Sequence, residues 1–281
     1  MVNFPKIIQI ETNIFCNDSC DFCPQRDAVR ETKIMPDEFW MKIVDETRGR
    51  GMIYRPFMVN EPLTDKRLPE IIRYIKEDRT AKVDLNSNGG LLTEEWGMRL
   101  IEEGVDIIKF SVDGFSEESY RKSGRGDDYE QIVENINRFI ELKKRMKGCV
   151  IIIVRMIDMD TNRHEQKDFL EYWGERADNA VIVPLYRWPW TGQERPVMKP
   201  CPKIREEMFF MTDGTAVLCC WDNLKKGVIG NIKESTVKEI WNGELNRKYR
   251  NLINEGRRDE VLLCSKCDGY DHYDFSNWKS Y

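Results

Sequence analysis

The chain has 281 residues, of which 41% are hydrophobic, 33% charged and 11% aromatic, a composition that excludes disordered and fibrous classes. Lys and Arg number 44 against 49 Asp and Glu, and the resulting net charge of -5 excludes a bulk electrostatic grip on nucleic acid or on an anionic membrane. With no run of about 18 apolar residues and no export signal in residues 1–30, a cytoplasmic protein is expected. Its 9 cysteines then stay reduced and serve as metal ligands or in chemistry, and with only two histidines, His164 and His272, a metal must rest on sulfur or carboxylate.

Short apolar runs alternate with amphipathic stretches over the first two thirds. Ile7 to Ile10 reads as a first strand, Met52 to Val59 as a second and Lys82 to Leu85 as a third; Val105 to Val112, Cys149 to Ile157 and Ala180 to Leu185 continue the series. Thr93 ahead of Glu94, Glu95 and the apolar Trp96, Met98 and Ile101 marks one helix start, and Ile132, Ile136, Phe139 and Ile140 line one face of another from Asp128 to Met146. Strands that alternate with helices imply a parallel sheet with helical crossovers. The fold class is therefore α/β, a partial (β/α)6 TIM-like barrel, expected over residues 1–187. Pro184, Pro189, Gly192, Pro196 and Pro200 then break the rhythm. Beyond them Met208 to Thr212 and Thr215 to Leu218 flank Asp213-Gly214, a hairpin signal, and helices follow at Val237 to Trp241 and Leu245 to Asn254. A small α+β domain is expected over residues 188–281.

Cys16, Cys20 and Cys23 follow the first strand with the spacing C-x3-C-x2-C. An odd trio suits no set of disulfides, structural zinc takes four ligands, and the polar Asn17-Asp18-Ser19 is a poor place for buried structural thiols. An iron-sulfur cluster with three protein ligands and one open iron is the functional reading. With Phe22 before the last cysteine, the run resembles the signature of the radical S-adenosylmethionine (radical SAM) superfamily. That resemblance implies a 4Fe-4S cluster whose open iron chelates SAM, and a 5′-deoxyadenosyl radical that removes a substrate hydrogen. Glu61 and Pro62 in Val59-Asn60-Glu61-Pro62-Leu63 resemble the family's Gly-Gly-Glu-Pro motif without its glycines, which assigns Glu61 to the SAM ammonium. Asn86-Ser87-Asn88-Gly89 resembles the Thr-Asn-Gly element at the ribose and methionyl side, and Phe110-Ser111-Val112-Asp113-Gly114 is a family strand ending from which Ser111 would reach SAM. Arg155 is placed to pair with the SAM carboxylate in bidentate fashion. Taken singly, these residues also read as two turns, a loop acid and a surface ion-pair partner.

Cys201, Cys219, Cys220, Cys264 and Cys267 remain in the small domain. Four of them would suit zinc, so a zinc-stabilised binding protein is the alternative of another class. Gly214 to Asp222, Gly230-Asn231-Ile232, Ile240-Trp241-Asn242 and Cys264-x2-Cys267 resemble instead the SPASM and shortened twitch extensions of radical SAM enzymes. The resemblance implies one auxiliary 4Fe-4S cluster. The run Gly214 to Cys219 with Asp222 is similar to the 2-deoxy-scyllo-inosamine dehydrogenase family of butirosin biosynthesis and makes Cys219 the ligand beside Cys201, Cys264 and Cys267. Cys220 is then left over, and on an alternating strand it should face away from Cys219. It is either a small buried hydrophobe or a thiol that returns a hydrogen atom to a substrate radical, as in aminoglycoside epimerases; Cys149 reads as structural. The resemblance implies dehydrogenation of a carbinol carbon in a sugar or aminocyclitol, with the electron passing to the auxiliary cluster and a flavodoxin or ferredoxin as donor. Epimerisation through Cys220 and modification of a ribosomal peptide are the alternatives, the latter less favoured because the first strand begins by residue 7. Tyr186, Trp188 and Trp190 in the linker either stack on a sugar ring or pack the two domains together.

Overall fold

The computed structural model describes residues 4–27, 30–126, 128–185, 201–265 and 267, so the linker aromatics Tyr186, Trp188 and Trp190 lie outside the described residues. In chain order the elements are β1 (Ile7–Ile10), α1 (Asp37–Thr47), β2 (Ile53–Arg55), α2 (Leu68–Lys76), β3 (Lys82–Ser87), α3 (Glu94–Glu102), β4 (Ile107–Ser111), α4 (Glu117–Lys122), α5 (Tyr129–Met146), β5 (Ile151–Asp158), α6 (Gln166–Gly174) and β6 (Asn179–Pro184). There follow α7 (Pro202–Glu206), β7 (Glu207–Phe210), β8 (Thr215–Val217), β9 (Val228–Asn231), α8 (Val237–Trp241) and α9 (Glu244–Asn254). The first six strands pair in parallel in the order β6-β5-β4-β3-β2-β1, the partial barrel that the strand and helix alternation requires.

Each barrel strand obeys the two-residue alternation of a pleated sheet, with an unusual division of labour between its faces. Ile8 and Ile10, Tyr54, Val83 and Leu85, Ile108 and Phe110, and Ile152, Val154 and Met156 point outward into one core shared with the helices. Their neighbours Gln9, Arg55, Asp84, Asn86, Lys109, Ser111 and Arg155 occupy the opposite face, inside the barrel. The outward set is sealed by helix faces such as Leu68, Ile71, Ile72 and Ile75 of α2 and Ile132, Ile136, Phe139 and Ile140 of α5.

Three elements depart from the sequence expectation. The second strand stops at Arg55 rather than Val59: Pro56 has no N–H for the ladder, and Phe57 N donates back to Arg55 O at 2.8 Å, which turns the chain out of the sheet. The strand expected only as half of a hairpin, β7, also pairs in parallel with β1, with Ile10 opposite Phe210, so small domain and barrel share one nine-stranded sheet. Cys219 and Cys220 fall beyond the end of β8 at Val217, in a turn closed by Asp222 N to Cys219 O at 3.0 Å. Strand alternation therefore does not govern them.

Gly114, after β4, lies so close to α4 that a Cβ there would sit 2.7 Å from the Tyr120 Cα, whereas at Gly126 the nearest atom would be a carboxylate oxygen 3.4 Å away. Gly114→Ala should therefore cost about 1–3 kcal/mol in chemical denaturation and Gly126→Ala well under 1 kcal/mol; equal losses would show that α4 yields freely.

Candidate active site

The loop after β1 carries Cys16, Cys20 and Cys23, all free thiols, within a shell of donors. Asp18 N lies 3.4 Å from Cys16 Sγ, and Asn88 Nδ2 approaches the same sulfur at 4.0 Å while bonding Asn17 Oδ1 at 3.0 Å. Arg125 Nη1 donates to Cys20 Sγ at 3.4 Å. The same guanidinium pairs with Asp18 at 3.2 Å and with Asp113 at 2.6 Å, and stands 5.5 Å over the Phe22 ring. Burial pushes the Cys16 thiol up to about 11 and Cys20 higher still, so metal binding here must displace protons. Three thiols, of which Cys16 and Cys20 already receive N–H donors, fit an iron-sulfur cluster, whose thiolates depend on such outer partners.

Glu61 is the hub joining this loop to β3. Its carboxylate accepts from Leu63 N at 3.0 Å, Ser87 Oγ at 2.9 Å and Asn88 N at 2.7 Å, while Glu61 N donates to Phe15 O beside the cysteine loop at 2.9 Å. Burial raises its pKa to about 7 in spite of those bonds. Glu61, Ser87, Asn88 and Cys16 thus form one connected group. Ser111 and Arg155 face each other across β4 and β5, with Arg155 Nε and Nη2 both donating to Ser111 Oγ at 3.0 and 2.9 Å.

A cavity of about 240 Å³ opens between these groups and the small domain, with Phe22, Arg155, Lys109, Lys203, Cys220 and Trp221 among its walls. Below it runs an unbroken series of ion pairs. Lys109 bonds Asp84, Asp84 bonds Arg55 at 2.8 Å, Arg55 bonds Glu207 at 3.3 Å, and Glu207 lies 3.9 Å from Lys203. Lys203 Nζ in turn donates to Cys220 Sγ at 3.3 Å. Burial, against the attraction of Asp84, lowers Lys109 to about 8. A hydrogen bond from Cys219, and then Lys203, draw Cys220 below the usual thiol range, while Cys219 moves up. The two sulfurs thus meet rather than facing opposite ways. If Cys219 ligates iron as thiolate it can no longer donate, and Lys203 becomes the donor that fixes the Cys220 sulfur.

Cys201, Cys219 and Cys264 gather about one apolar cluster of Ile204, Leu218, Leu252, Ile253, Val261 and Leu263. Burial pushes Cys264 up to about 12, with Cys201 and Cys267 adding to the shift and Arg258, 1% exposed, opposing it. Cys267 N donates to Cys264 O at 3.3 Å. Cys201 and Cys264 lie beside the buried Arg258 guanidinium, and with Cys219 and Cys267 they make four sulfurs, the donor chemistry that a second cluster takes. Cys219 also packs against Phe209, Met211, Val217 and Cys220, the cluster that faces the cavity. Sequence reasoning passed over Arg125, Arg258, Lys109 and Lys203; the only local signal was a lone cation in an otherwise apolar strand for Lys109.

Comparison with known families agrees with this geometry. The radical SAM superfamily matches residues 10–165, and an iron-sulfur cluster-binding domain of the SPASM type matches residues 201–268. The chain belongs to the radical SAM superfamily and carries a SPASM-type extension. Its cofactors are S-adenosylmethionine and 4Fe-4S clusters, one that binds SAM and one auxiliary. A probable GTP 3′,8-cyclase of Methanococcus maripaludis is 26% identical over 230 residues, 82% of this chain and 75% of the relative. The structure of BtrN in complex with AdoMet and 2-DOIA matches with a TM-score of 0.68 at 18% identity, over 95% of this chain and 94% of BtrN. Streptococcus suis SuiB bound to its precursor peptide SuiA matches at 0.72 and 12% identity, over 99% and 74%. Among the described residues no helix is long and apolar enough to cross a membrane.

Anaerobically reconstituted protein should carry about eight irons per chain, and either Cys16→Ala with Cys20→Ala and Cys23→Ala, or Cys264→Ala with Cys267→Ala, should leave about four. Colourless protein with bound zinc would overturn both assignments. Arg125→Met strands the fully buried Asp113 carboxylate and removes the donor to Cys20, so it should cost about 3–5 kcal/mol and reduce iron at the first site selectively; an unaltered iron content would show that Arg125 only braces the fold.

Proposed function

We propose that the protein oxidises a carbinol carbon of a small polar molecule, a sugar or aminocyclitol, to a ketone. The observation that carries this reading is the position of Cys219, which belongs to the four-thiol group while its neighbour Cys220 forms cavity wall. Four cysteines leave an auxiliary cluster no open iron for substrate, which suits it to electron transfer, and the substrate cavity lies one residue away. When bound, SAM and the clusters supply the radical that takes the carbinol hydrogen and the acceptor for the electron that follows. In this reading Glu61, Ser87, Asn88, Ser111, Phe22 and Arg155 hold SAM. Arg155 offers two N–H groups to a carboxylate from the position where Ser111 now receives them. Reduced flavodoxin or ferredoxin would serve as the electron donor.

Epimerisation is a second reading, favoured by Cys220 in the cavity wall. Lys203 donating to that sulfur is the arrangement that holds a thiolate, which has no hydrogen atom to give, and so oxidation is preferred. A nucleotide substrate, as in the name of the methanococcal relative, gains support from the cations Arg55, Lys109, Arg155 and Lys203 of the cavity wall. Turnover of candidate sugars in deuterated water by wild type and Cys220→Ala separates the first two. A ketone formed by both supports oxidation. Deuterium at carbon in a product of unchanged composition, lost in the variant, would replace oxidation by epimerisation.

A further inference from the structure

We propose that Gln9 and Asn86 form a substrate subsite that reads two hydroxyl groups of a cyclic polyol. This deepens the small-molecule reading above and rests on it for the location of the substrate. Gln9 lies on β1 opposite Arg55 of β2, and Asn86 lies on β3 opposite Lys109 of β4, so both stand on the inner face of the barrel at positions that the ladder holds fixed. Both side chains line the cavity. Gln9 is 6% exposed, and Gln9 Oε1 and Asn86 Oδ1 are buried without a hydrogen-bond partner among the described residues. Their amide nitrogens likewise make no hydrogen bond among the described residues, so each group stays unpaired whichever way it is turned. Other buried amides of the barrel are engaged: Asn60 donates to Asn13 Oδ1 at 3.1 Å, Asn88 to Asn17 Oδ1 at 3.0 Å, Asn135 to Gly89 O at 3.0 Å and Asn162 to Asp113 O at 3.0 Å. Gln9 and Asn86 are unlike them and share one wall.

A buried amide without partners is costly, so a ligand that pairs with it gains binding energy that the protein itself does not use. Each primary amide offers one acceptor oxygen and two N–H donors. An ether, ketone or carboxylate only accepts and an ammonium only donates, whereas a hydroxyl does both and matches either end of the amide. Because β2 separates the strands that carry the two amides, they meet a ligand at two places, which suits hydroxyls at two ring positions better than a single edge of a planar base. Phe57, Val59, Ile157 and Val183 also line the cavity and supply apolar contact for ring C–H groups. A few fixed polar groups among apolar contacts are what orients a small ligand in a pocket.

The test is anaerobic calorimetry on the reconstituted holoenzyme with SAM, using glucose, myo-inositol, cyclohexanol, guanosine and tetraglycine as probes, on wild type, Gln9→Met and Asn86→Leu. Glucose or myo-inositol should bind more tightly than cyclohexanol, and each substitution should weaken that polyol about ten-fold while SAM binds as in the wild type. Since the native amides have no protein partner to lose, both substitutions should leave the midpoint of chemical denaturation unchanged or raise it. Asn162→Leu, which strips the donor from Asp113 O and Ile157 O, should lower it. A lowered midpoint in both cavity variants would make the amides structural, a loss of SAM affinity would assign them to SAM, and selective weakening of guanosine or tetraglycine would replace the polyol. Each of these results overturns the proposal, as does the absence of polyol binding by the wild type. No arm requires turnover: a polyol bound through both amides but never oxidised removes the oxidation reading and leaves the subsite.

Discussion

The ion-pair series from Lys109 through Asp84, Arg55 and Glu207 to Lys203 is the constraint around which the barrel interior is arranged. Charges this deep are tolerated only when each meets an opposite neighbour, since an isolated one faces a desolvation cost of several kcal/mol. The series runs from β4 and β3 to β2 and then passes over β1 to β7. It threads β4, β3 and β2 of the barrel onto β7 and α7 of the small domain, joining the two halves by charge where apolar packing alone would leave a filled core. The cavity exists because these side chains cannot be replaced by water-free hydrocarbon without losing the series.

The cysteines sit in two different electrostatic settings that share one device. Each group of thiols has a buried guanidinium beside it, Arg125 at the first and Arg258 at the second. A cation there favours the thiolate that iron requires and offsets the negative charge of a ligated cluster. Arg125 has a further duty, because it pairs with both Asp113 and Asp18 and so anchors the cysteine loop to the end of β4.

What was legible in the sequence was local. The six strands, the hairpin glycine and the cysteine spacings are written within a few residues of each other, and the structure reproduces them. Glu61, Ser87 and Asn88 were found as strand-end residues, and the structure joins them in one hydrogen-bonded hub. The long-range charges were not legible: Arg55, Asp84 and Lys109 alternate with apolar neighbours just as solvent-facing residues of a half-exposed strand do, and only the barrel's curvature shows that the polar face looks inward. Pro56 cut β2 short for a reason the apolar run concealed. The Cys219 and Cys220 pair was read through strand geometry that ends two residues too early.

The pairing of β1 with β7 has a consequence for the distance between the two clusters. The first cysteine loop leaves the end of β1, and Cys219 hangs from β8, two strands away across β7 in fixed register. Adjacent strands lie about 4.8 Å apart, so the backbone ladder acts as a ruler for the gap between the two cysteine groups. Hinge motion between the halves cannot lengthen it without breaking that ladder. A slip of one residue between β1 and β7 would shift Cys219 by roughly 3.3 Å and turn its neighbours to the wrong face, so the spacing of the two cysteine groups and the fold fail together.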